Sequence, residues 1–201
     1  MTRIIGGTAG GRRLRTPTGD ATRPTSDRVR EALFSALESE FGSLHGLRVL
    51  DLYAGSGAVG LEAGSRGAVA VTLVESDRRT ARLIEENARV VGIAAEVHAQ
   101  TVARVLAGSP RAPYDLVFAD PPYPLTEEEL AADLAALVEQ GWLAPGAAVV
   151  VERSRRSVEP TWPRGLGTAR MKRYGETVLW YVHRSLPDDP ADDLSAGESP
   201  E

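Results

Sequence analysis

The chain contains no cysteine among its 201 residues. This absence excludes disulfide bonds, thiolate zinc sites, iron–sulfur clusters and any mechanism that needs a cysteine nucleophile. Histidine is also scarce, and His45, His98 and His183 are scattered along the chain without the spacing of metal ligands. We therefore predict that the protein has no metal site.

Long hydrophobic runs are missing as well. The longest apolar stretches, such as residues 147–151, are far shorter than the roughly 20 residues that cross a bilayer. Residues 1–7 lack the apolar stretch that follows the positive charge of a secretory signal peptide. A hydrophobic fraction of 42% is enough for one core of ordinary size. These features predict a cytoplasmic, single-core protein without a membrane partner, and we expect a monomer.

Lysine is the rarest basic residue, because Lys172 is the only lysine and all the other bases are arginine. The net charge of −5 hides an uneven distribution. All charged residues of the tail, residues 185–201, are acidic, and we predict that the tail is disordered. The arginines concentrate in residues 1–30 and 151–184, at the two ends of a near-neutral middle. This pattern is typical of a rim that binds nucleic-acid phosphates, although a solvated basic surface has the same composition.

Hydrophobic periodicity divides the chain into an arm and an alternating region. Residues 1–24 show no periodicity and are predicted to form an extended basic arm or a short hairpin. Thr25 or Ser26 can cap a helix that ends near Glu40. The predicted strands are 47–53, 68–75, 95–99, 114–120 and 147–152, followed by a hairpin of 169–174 and 177–183. The helices predicted between the strands are one that ends at Ser65, 77–91, 101–106, and 126–139 with a Thr126/Glu129 capping box.

Continuous apolar strands separated by helices indicate a parallel sheet that is covered on both faces. The terminal hairpin adds antiparallel strands and makes this sheet mixed. The sequence therefore predicts an α/β, Rossmann-like fold with a seven-stranded sheet over residues 25–184, preceded by the small arm.

A glycine-rich turn, Asp51 to Gly57, follows the first strand of this sheet. Ligands of doubly wound sheets bind outside the carboxyl ends of the strands, and Gly55 and Gly57 allow the backbone to approach a ligand closely. Asp51 can meet the cationic amino-acid end of S-adenosylmethionine (SAM). Glu75, at the end of the second strand, can accept hydrogen bonds from both ribose hydroxyls.

The same turn also fits a dinucleotide site. Gly55, Gly57 and Gly60 have the spacing of the dinucleotide fingerprint, and Glu75 follows at the expected distance. Asp51 favours SAM, since a carboxylate attracts an ammonium group and repels a pyrophosphate. A strand-to-helix turn without a ligand is the third alternative.

The motif Asp120-Pro121-Pro122-Tyr123 follows the fourth strand and predicts methyl transfer to an amino group. The lone pair of an exocyclic base nitrogen is delocalised into the ring, so an enzyme must hold both N–H groups and aim the lone pair at the methyl donor. Asp120 and the Pro121 carbonyl, fixed by the two prolines, can accept the two hydrogen bonds. Tyr123 offers a face on which a flipped base can stack. A proline turn without chemistry is the alternative.

These motifs make the chain similar to the bacterial small-subunit rRNA (guanine-N2)-methyltransferases of the RsmD type. The resemblance covers about residues 3–184 and includes Arg3-Ile4-Ile5-Gly6-Gly7 and the segment from Arg23 to Phe34. It implies the class I SAM-dependent methyltransferase fold, SAM as the cofactor, and a guanine in 16S rRNA as the target, within the 30S subunit or its precursor. Tyr53 departs from the family, which usually has phenylalanine there.

The resemblance also implies site residues. An arm before residue 47 would help to cover SAM and bind RNA. The candidate catalytic residues are Asp120, Pro121, Pro122 and Tyr123. The candidate SAM-binding residues are Asp51, Tyr53, Gly55, Gly57, Glu75, Ser76, Gln100, Thr101, Thr25 and Arg28. The candidate RNA-binding residues are Arg3, Arg12, Arg13, Arg15 and Arg23.

Three alternatives remain open at the level of sequence. An N6-adenine DNA methyltransferase can share the Asp-Pro-Pro-Tyr motif, although such enzymes generally add a target-recognition domain. A ribosome-assembly module could keep the fold without the activity. The helix after Ser26 could simply pack on the sheet, with Asp27 and Arg30 paired on its surface.

Overall fold

The computed structural model describes residues 2–17 and 26–185, which form a seven-stranded sheet with helices on both faces and a small amino-terminal hairpin. Arg23, Thr25 and the tail beyond Ser185 lie outside the described residues. The hairpin consists of β1 (Thr2–Arg3) and β2 (Arg13–Leu14). The helices are α1 (Asp27–Phe41), α2 (Ala58–Ser65), α3 (Arg78–Val91), α4 (Val102–Leu106) and α5 (Glu127–Glu139).

The sheet confirms the predicted α/β topology. Its strands are β3 (Arg48–Leu52), β4 (Ala70–Val74), β5 (Glu96–His98), β6 (Tyr114–Ala119), β7 (Leu143–Ser154), β8 (Arg170–Tyr174) and β9 (Thr177–His183). Their order is β5-β4-β3-β6-β7-β9-β8, and β9 runs antiparallel to both of its neighbours while the other pairs are parallel. The carboxyl ends of β3, β4 and β6 therefore meet at one edge, between helices of opposite faces.

Both faces of the sheet are buried, which explains the continuous apolar strands. Alternate residues of β3 and β6, such as Val49 and Phe118, pack against α1 and α2. Their neighbours in sequence, such as Leu50 and Val117, face the other way and pack against α4 and α5. A sheet covered in this way needs apolar side chains on both faces.

Helix caps fix where the helices begin. The Ser26 hydroxyl accepts a hydrogen bond from the Val29 amide at 3.3 Å, which makes Ser26 the cap of α1. The predicted capping box of α5 is present, because Thr126 accepts from the Glu129 amide at 3.1 Å and Glu129 accepts from the Thr126 amide at 2.9 Å. These caps place the amino-terminus of α5 directly after the Asp-Pro-Pro-Tyr motif.

Strand β7 is longer than predicted. A bulge shifts the pairing with β6, so that Leu143 lies beside Tyr114 and Ala148 beside Leu116. Pro145 and Gly146 fall within this irregular part and give it the sequence character of a turn. At its other end β7 continues to Ser154, beyond the predicted end at residue 152, because β9 pairs with it as far as Thr177.

Candidate active site

The loop after β3 has an unusual backbone. Tyr53 has φ 58° and is the only residue other than glycine with a positive φ in the described part of the chain. Gly57 has φ 77°, and a Cβ there would lie 2.9 Å from Ile84 Cγ2. Gly55 also has a positive φ, of 55°, but a Cβ there would meet nothing within 4 Å. A side chain at position 57 would therefore collide with α3, whereas the space in front of Gly55 is open.

Asp51 lies beneath this loop and is only 2% exposed. Its Oδ2 accepts a hydrogen bond from the Gly60 amide at 2.8 Å, in the first turn of α2. Burial raises the pKa of the Asp51 carboxyl to about 8; the Gly60 hydrogen bond opposes this rise, and the charge of Glu75 adds to it. Such a carboxyl favours a cation in the adjoining space, because a positive charge would stabilise its ionised form.

Glu75, at the end of β4, is held in place by backbone amides. Its Oε2 accepts from the Gly55 amide at 3.0 Å, and its Oε1 accepts from the Asp77 amide at 2.8 Å. Each carboxylate oxygen can accept more than one hydrogen bond, so both can still receive ligand hydroxyls. The arrangement suits the two hydroxyls of a ribose.

The Asp-Pro-Pro-Tyr motif leaves the sheet beside this loop. The Asp120 amide donates to the Leu52 carbonyl at 3.4 Å, which joins the motif to the end of β3. The Pro122 carbonyl accepts from the Leu125 amide at 2.9 Å, whereas no amide of the described residues donates to the Pro121 carbonyl. The side chain of Tyr123 is 80% exposed. The motif thus places a carboxylate and an exposed aromatic ring in a short turn directly after β6.

Helix α5 contributes acidic side chains that the sequence analysis did not identify. Asp133 is 6% exposed, and its Oδ2 accepts a hydrogen bond from the Tyr53 hydroxyl. Burial raises the pKa of Asp133, the bond from Tyr53 opposes the rise, and the charge of Glu129 adds to it. Burial and the bond to Asp133 raise the pKa of Tyr53, which keeps its hydroxyl protonated as a donor.

These elements surround one cleft of about 1110 Å³. Pockets for drug-sized ligands span about 300–1,000 Å³, so this volume can accommodate a cofactor together with part of a second ligand. The predicted site residues that line it are Asp51, Tyr53, Gly55, Glu75, Ser76, Thr101, Asp120, Pro122 and Tyr123. The glycine-rich loop and the Asp-Pro-Pro-Tyr motif, separated by more than 60 residues of sequence, thus share a cavity.

Four predicted residues lie away from the cleft lining. Gln100 is exposed, and the neighbouring Thr101 lines the cleft while its hydroxyl caps α4. Arg28 is also exposed, because it points away from the buried face of α1. Gly57 shapes the backbone behind the lining, and Pro121 is buried.

The arm reaches the cleft through Thr16 and Pro17, which line it. Glu62 of α2 is fully buried and holds the start of the arm, with its Oε2 accepting from the Ile5 amide at 2.6 Å and its Oε1 from the Gly6 amide at 2.8 Å. Arg30 is also fully buried and donates to the Arg3 carbonyl at 2.7 Å. One sequence alternative placed an Arg30–Asp27 pair on the surface of α1. The pair is present, but Arg30 is fully buried and only Asp27 is partly exposed.

Most of the arm arginines predicted to bind RNA make contacts within the protein. Arg12 donates to the Val91 carbonyl at 2.9 Å, at the carboxyl end of α3. Arg15 forms a 2.7 Å ion pair with Glu86, and Arg3 forms a 3.3 Å ion pair with Asp27. Arg13 is exposed and has no ion pair within the described ranges. The contacts of Arg3, Arg12 and Arg15 fix the arm on the domain.

Other lining residues were not predicted, and several gave no signal of their own in the sequence. They are Thr16, Pro17, Ala54, Ser56, Ala58, Val59, Val74, Val102, Ala103, Phe118, Leu125, Glu129, Ala132 and Asp133. Asp133 was the one most accessible to prediction, because it is an acid at an otherwise apolar position of α5, one turn after Glu129.

Comparison with known proteins identifies a family whose model spans most of the chain. The family model described as "Conserved hypothetical protein 95" matches residues 2–183. The ribosomal RNA small subunit methyltransferase D of Escherichia coli (strain K12) is 36% identical over 184 residues, which is 90% of this chain and 89% of that protein.

Solved structures show the same fold. The Escherichia coli protein yhhF superposes with a TM-score of 0.79 at 34% identity, over 92% of this chain and 98% of that one. Magnesium protoporphyrin IX methyltransferase from Synechocystis PCC 6803, solved with bound SAM, superposes with a TM-score of 0.60 at 18% identity, over 83% and 87% of the two chains. The second likeness concerns the fold alone.

Proposed function

This chain belongs to the family described as conserved hypothetical protein 95, that of the ribosomal RNA small subunit methyltransferases D, and on that premise we propose its reaction. It transfers the methyl group of SAM to the exocyclic N2 of one guanine in 16S rRNA, within the 30S subunit or an assembly intermediate. The observation that carries this proposal is the shared cleft: Asp120, Pro122 and Tyr123 line the same cavity as Asp51 and Glu75.

The end of the cleft between Gly55 and Glu75 fits SAM. Space is open in front of Gly55, where a side chain would otherwise project. Glu75 is oriented by two amides and receives the ribose hydroxyls, while Asp51 lies in a buried position that favours the cationic amino-acid end. A dinucleotide fits less well, since the buried Asp51 would face its pyrophosphate. When bound, SAM supplies an electrophilic methyl group on a sulfonium.

The Asp-Pro-Pro-Tyr motif prepares the nucleophile. An oxygen of Asp120 accepts one N–H of the guanine amino group, and the Pro121 carbonyl accepts the other. Together they turn the nitrogen lone pair towards the methyl donor, and Tyr123 stacks on the base. The nitrogen becomes cationic as it gains the methyl group, and it then loses one proton, for which Asp120 is the nearest base of the motif. Most of the acceleration comes from this positioning.

The test is methylation with isotopically labelled SAM. Purified 30S subunits, free 16S rRNA and double-stranded DNA are each incubated with the protein and then digested to nucleosides. We expect labelled N2-methylguanosine, with 30S subunits the best substrate. Label in N6-methyladenine from DNA would contradict the proposal in favour of a DNA methyltransferase. SAM binding without label in any nucleic acid would indicate a non-catalytic assembly module.

A further inference from the structure

Three arginines lie at the edge of the sheet where the cleft opens. Strands β6 and β7 run parallel with Ala119 beside Val151, so the Asp-Pro-Pro-Tyr motif leaves the sheet next to the last residues of β7. Strand β8 runs in the same direction as β7, because both are antiparallel to β9. The carboxyl ends of β7 and β8 therefore point to the same edge as Tyr123. Arg155 and Arg156 follow β7, and Arg173 is near the end of β8.

Strand register relates the end of β7 to the end of β8. Arg153 of β7 lies beside Val178 of β9, which lies beside Arg173 of β8. Neighbouring strands are about 4.8 Å apart, so Arg173 is about 10 Å from the end of β7. The Arg155 amide donates to the Glu176 carbonyl at 2.8 Å and extends the pairing beyond β7. We call Arg155, Arg156 and Arg173 the basic rim.

The basic rim is available to a ligand. Arg156 and Arg173 are exposed, and neither has an ion pair within residues 2–17 and 26–185. Arg155 is 58% exposed and lies 3.8 Å from Glu176, a loose pair that water screens. Arg153 differs, because it is bound to Glu127 at the start of α5 and orients that helix instead. Arg156 and Arg173 thus leave two exposed positive charges at the edge of the sheet from which the Asp-Pro-Pro-Tyr motif also leaves.

The amino-terminal arm offers less free charge. Arg3, Arg12 and Arg15 each bind a partner within the protein, and only Arg13 of the described arm arginines is unengaged in this way. From sequence alone, the two basic ends of the chain are equally good candidates for binding RNA phosphates. The contacts distinguish them: Arg3, Arg12 and Arg15 each have a close partner within the protein, whereas Arg156 and Arg173 have no ion pair within the described ranges.

We propose that the basic rim binds the phosphates of the RNA strand that carries the target base; this inference rests on the proposed function. A guanidinium donates two parallel hydrogen bonds to a phosphate, which suits an all-arginine rim. Because a flipped base on Tyr123 stays attached to its backbone, the flanking phosphates must lie near the motif. The RNA then crosses the carboxyl ends of β7 and β8, on the side of Tyr123 opposite the SAM end of the cleft.

The test compares two matched double variants. R156Q/R173Q removes two charges from the rim, and R111Q/R170Q removes two exposed charges from the opposite edge, because Arg111 precedes β6 and Arg170 begins β8. Affinity for in vitro transcribed 16S rRNA and kcat/KM on 30S subunits are measured from about 50 to about 200 mM salt. SAM affinity, measured by calorimetry, serves as the folding control and should be unchanged in both variants.

The rim variant should lose RNA affinity and salt dependence together. Each phosphate contact on a single strand contributes about 0.7 to the slope of log affinity against log salt, so two lost contacts lower it by about 1.4. Its affinity deficit should then shrink about sevenfold between about 50 and about 200 mM salt. Equal slopes of log affinity against log salt for the two variants would contradict the proposal that the basic rim binds RNA. Failure of the unmodified protein to methylate both 30S subunits and 16S rRNA would instead overturn the proposed function, and the rim with it.

Discussion

The hydroxyl of Tyr53 donates a hydrogen bond to Oδ2 of Asp133, and this bond joins the glycine-rich loop to helix α5. Tyr53 has φ 58°, a conformation that is costly for a bulky side chain, so the surroundings must hold it. Asp133 is almost fully buried and has a raised pKa. The phenylalanine usual at this position in the RsmD family cannot make the bond.

Tyr53→Phe should therefore destabilise the protein although it restores the usual residue of the family. The substitution removes only the donor and leaves Asp133 buried without it, which should lower the free energy of unfolding by about 1–3 kcal/mol. The measurement is urea denaturation at pH 7. The double variant Tyr53→Phe/Asp133→Asn, which also removes the buried charge, should lose less than the sum of the single variants. Additive losses would show that the two side chains are not coupled.

Asp51 should make stability depend on pH. Its pKa of about 8 in the folded protein exceeds its ordinary 3.8, so the folded state keeps a proton that the unfolded state releases between these values. The free energy of unfolding should therefore fall as pH rises from about 4 to about 8, by up to about 1.4 kcal/mol per unit. Asp51→Asn should lack this contribution when urea denaturation is compared at pH 5, 6, 7 and 8. If the free energy of unfolding of the unmodified protein and of Asp51→Asn depended on pH in the same way, this role of Asp51 would be refuted.

SAM should release a proton from Asp51 when it binds at pH 7. A cation next to the carboxyl favours the ionised form and lowers its pKa. Calorimetry in two buffers with different ionisation enthalpies measures the protons exchanged. Release by the unmodified protein and its disappearance in Asp51→Asn are the expected results, and proton uptake would contradict this role.

Glu62 should be the main attachment point of the arm. Removing a buried carboxylate that faces Arg30 and Arg66 leaves uncompensated charge, which typically costs about 3–5 kcal/mol. We expect Glu62→Ala to lower the free energy of unfolding by this amount, and to expose the arm to proteolysis. Glu38→Ala is the matched control, because Glu38 also pairs with Arg66, at 2.8 Å, but is half-exposed. It should cost about 1 kcal/mol or less.

Arg12 should act on stability more than on RNA affinity. It binds the terminal carbonyls of α3, so Arg12→Gln should lower the free energy of unfolding by about 1 kcal/mol. Arg13→Gln, an exposed neighbour, should leave stability unchanged. Thermal denaturation and RNA titration of the two variants separate the effects. If Arg12→Gln lost RNA affinity while its stability was unchanged, the prediction would be wrong and Arg12 would be part of the RNA-binding surface.

The fold and the two main motifs were predictable from local pattern. Apolar strands, caps such as Thr126, and glycines such as Gly57 each leave a signal within a few residues. Strand order could be anticipated only from the general topology of such sheets. The bulge in β7 was not predictable, because Pro145 and Gly146 have the sequence character of a turn and only the pairing with β6 shows that the strand continues.

Roles that depend on distant contacts were harder to predict. Arg12 and Arg156 are alike in sequence, as exposed-looking arginines in basic segments, and only the fold shows that Arg12 binds α3 while Arg156 faces solvent. Asp133 is an acid at an otherwise apolar position of α5, but its bond to Tyr53 spans 80 residues and leaves no local signal. Gln100 and Thr101 are adjacent, and only the fold shows that Thr101 is the one that lines the cleft.

The role of Asp120 as the acceptor for the target amino group can be measured directly. Asp120→Ala is compared with the unmodified protein for SAM affinity by calorimetry and for methyl transfer to 30S subunits under single-turnover conditions. We predict a SAM dissociation constant within about threefold of the original and a transfer rate reduced by at least about a hundredfold, the effect typical of losing one positioned hydrogen-bonding group. A parallel loss of SAM affinity, or transfer at an undiminished rate, would contradict the assignment.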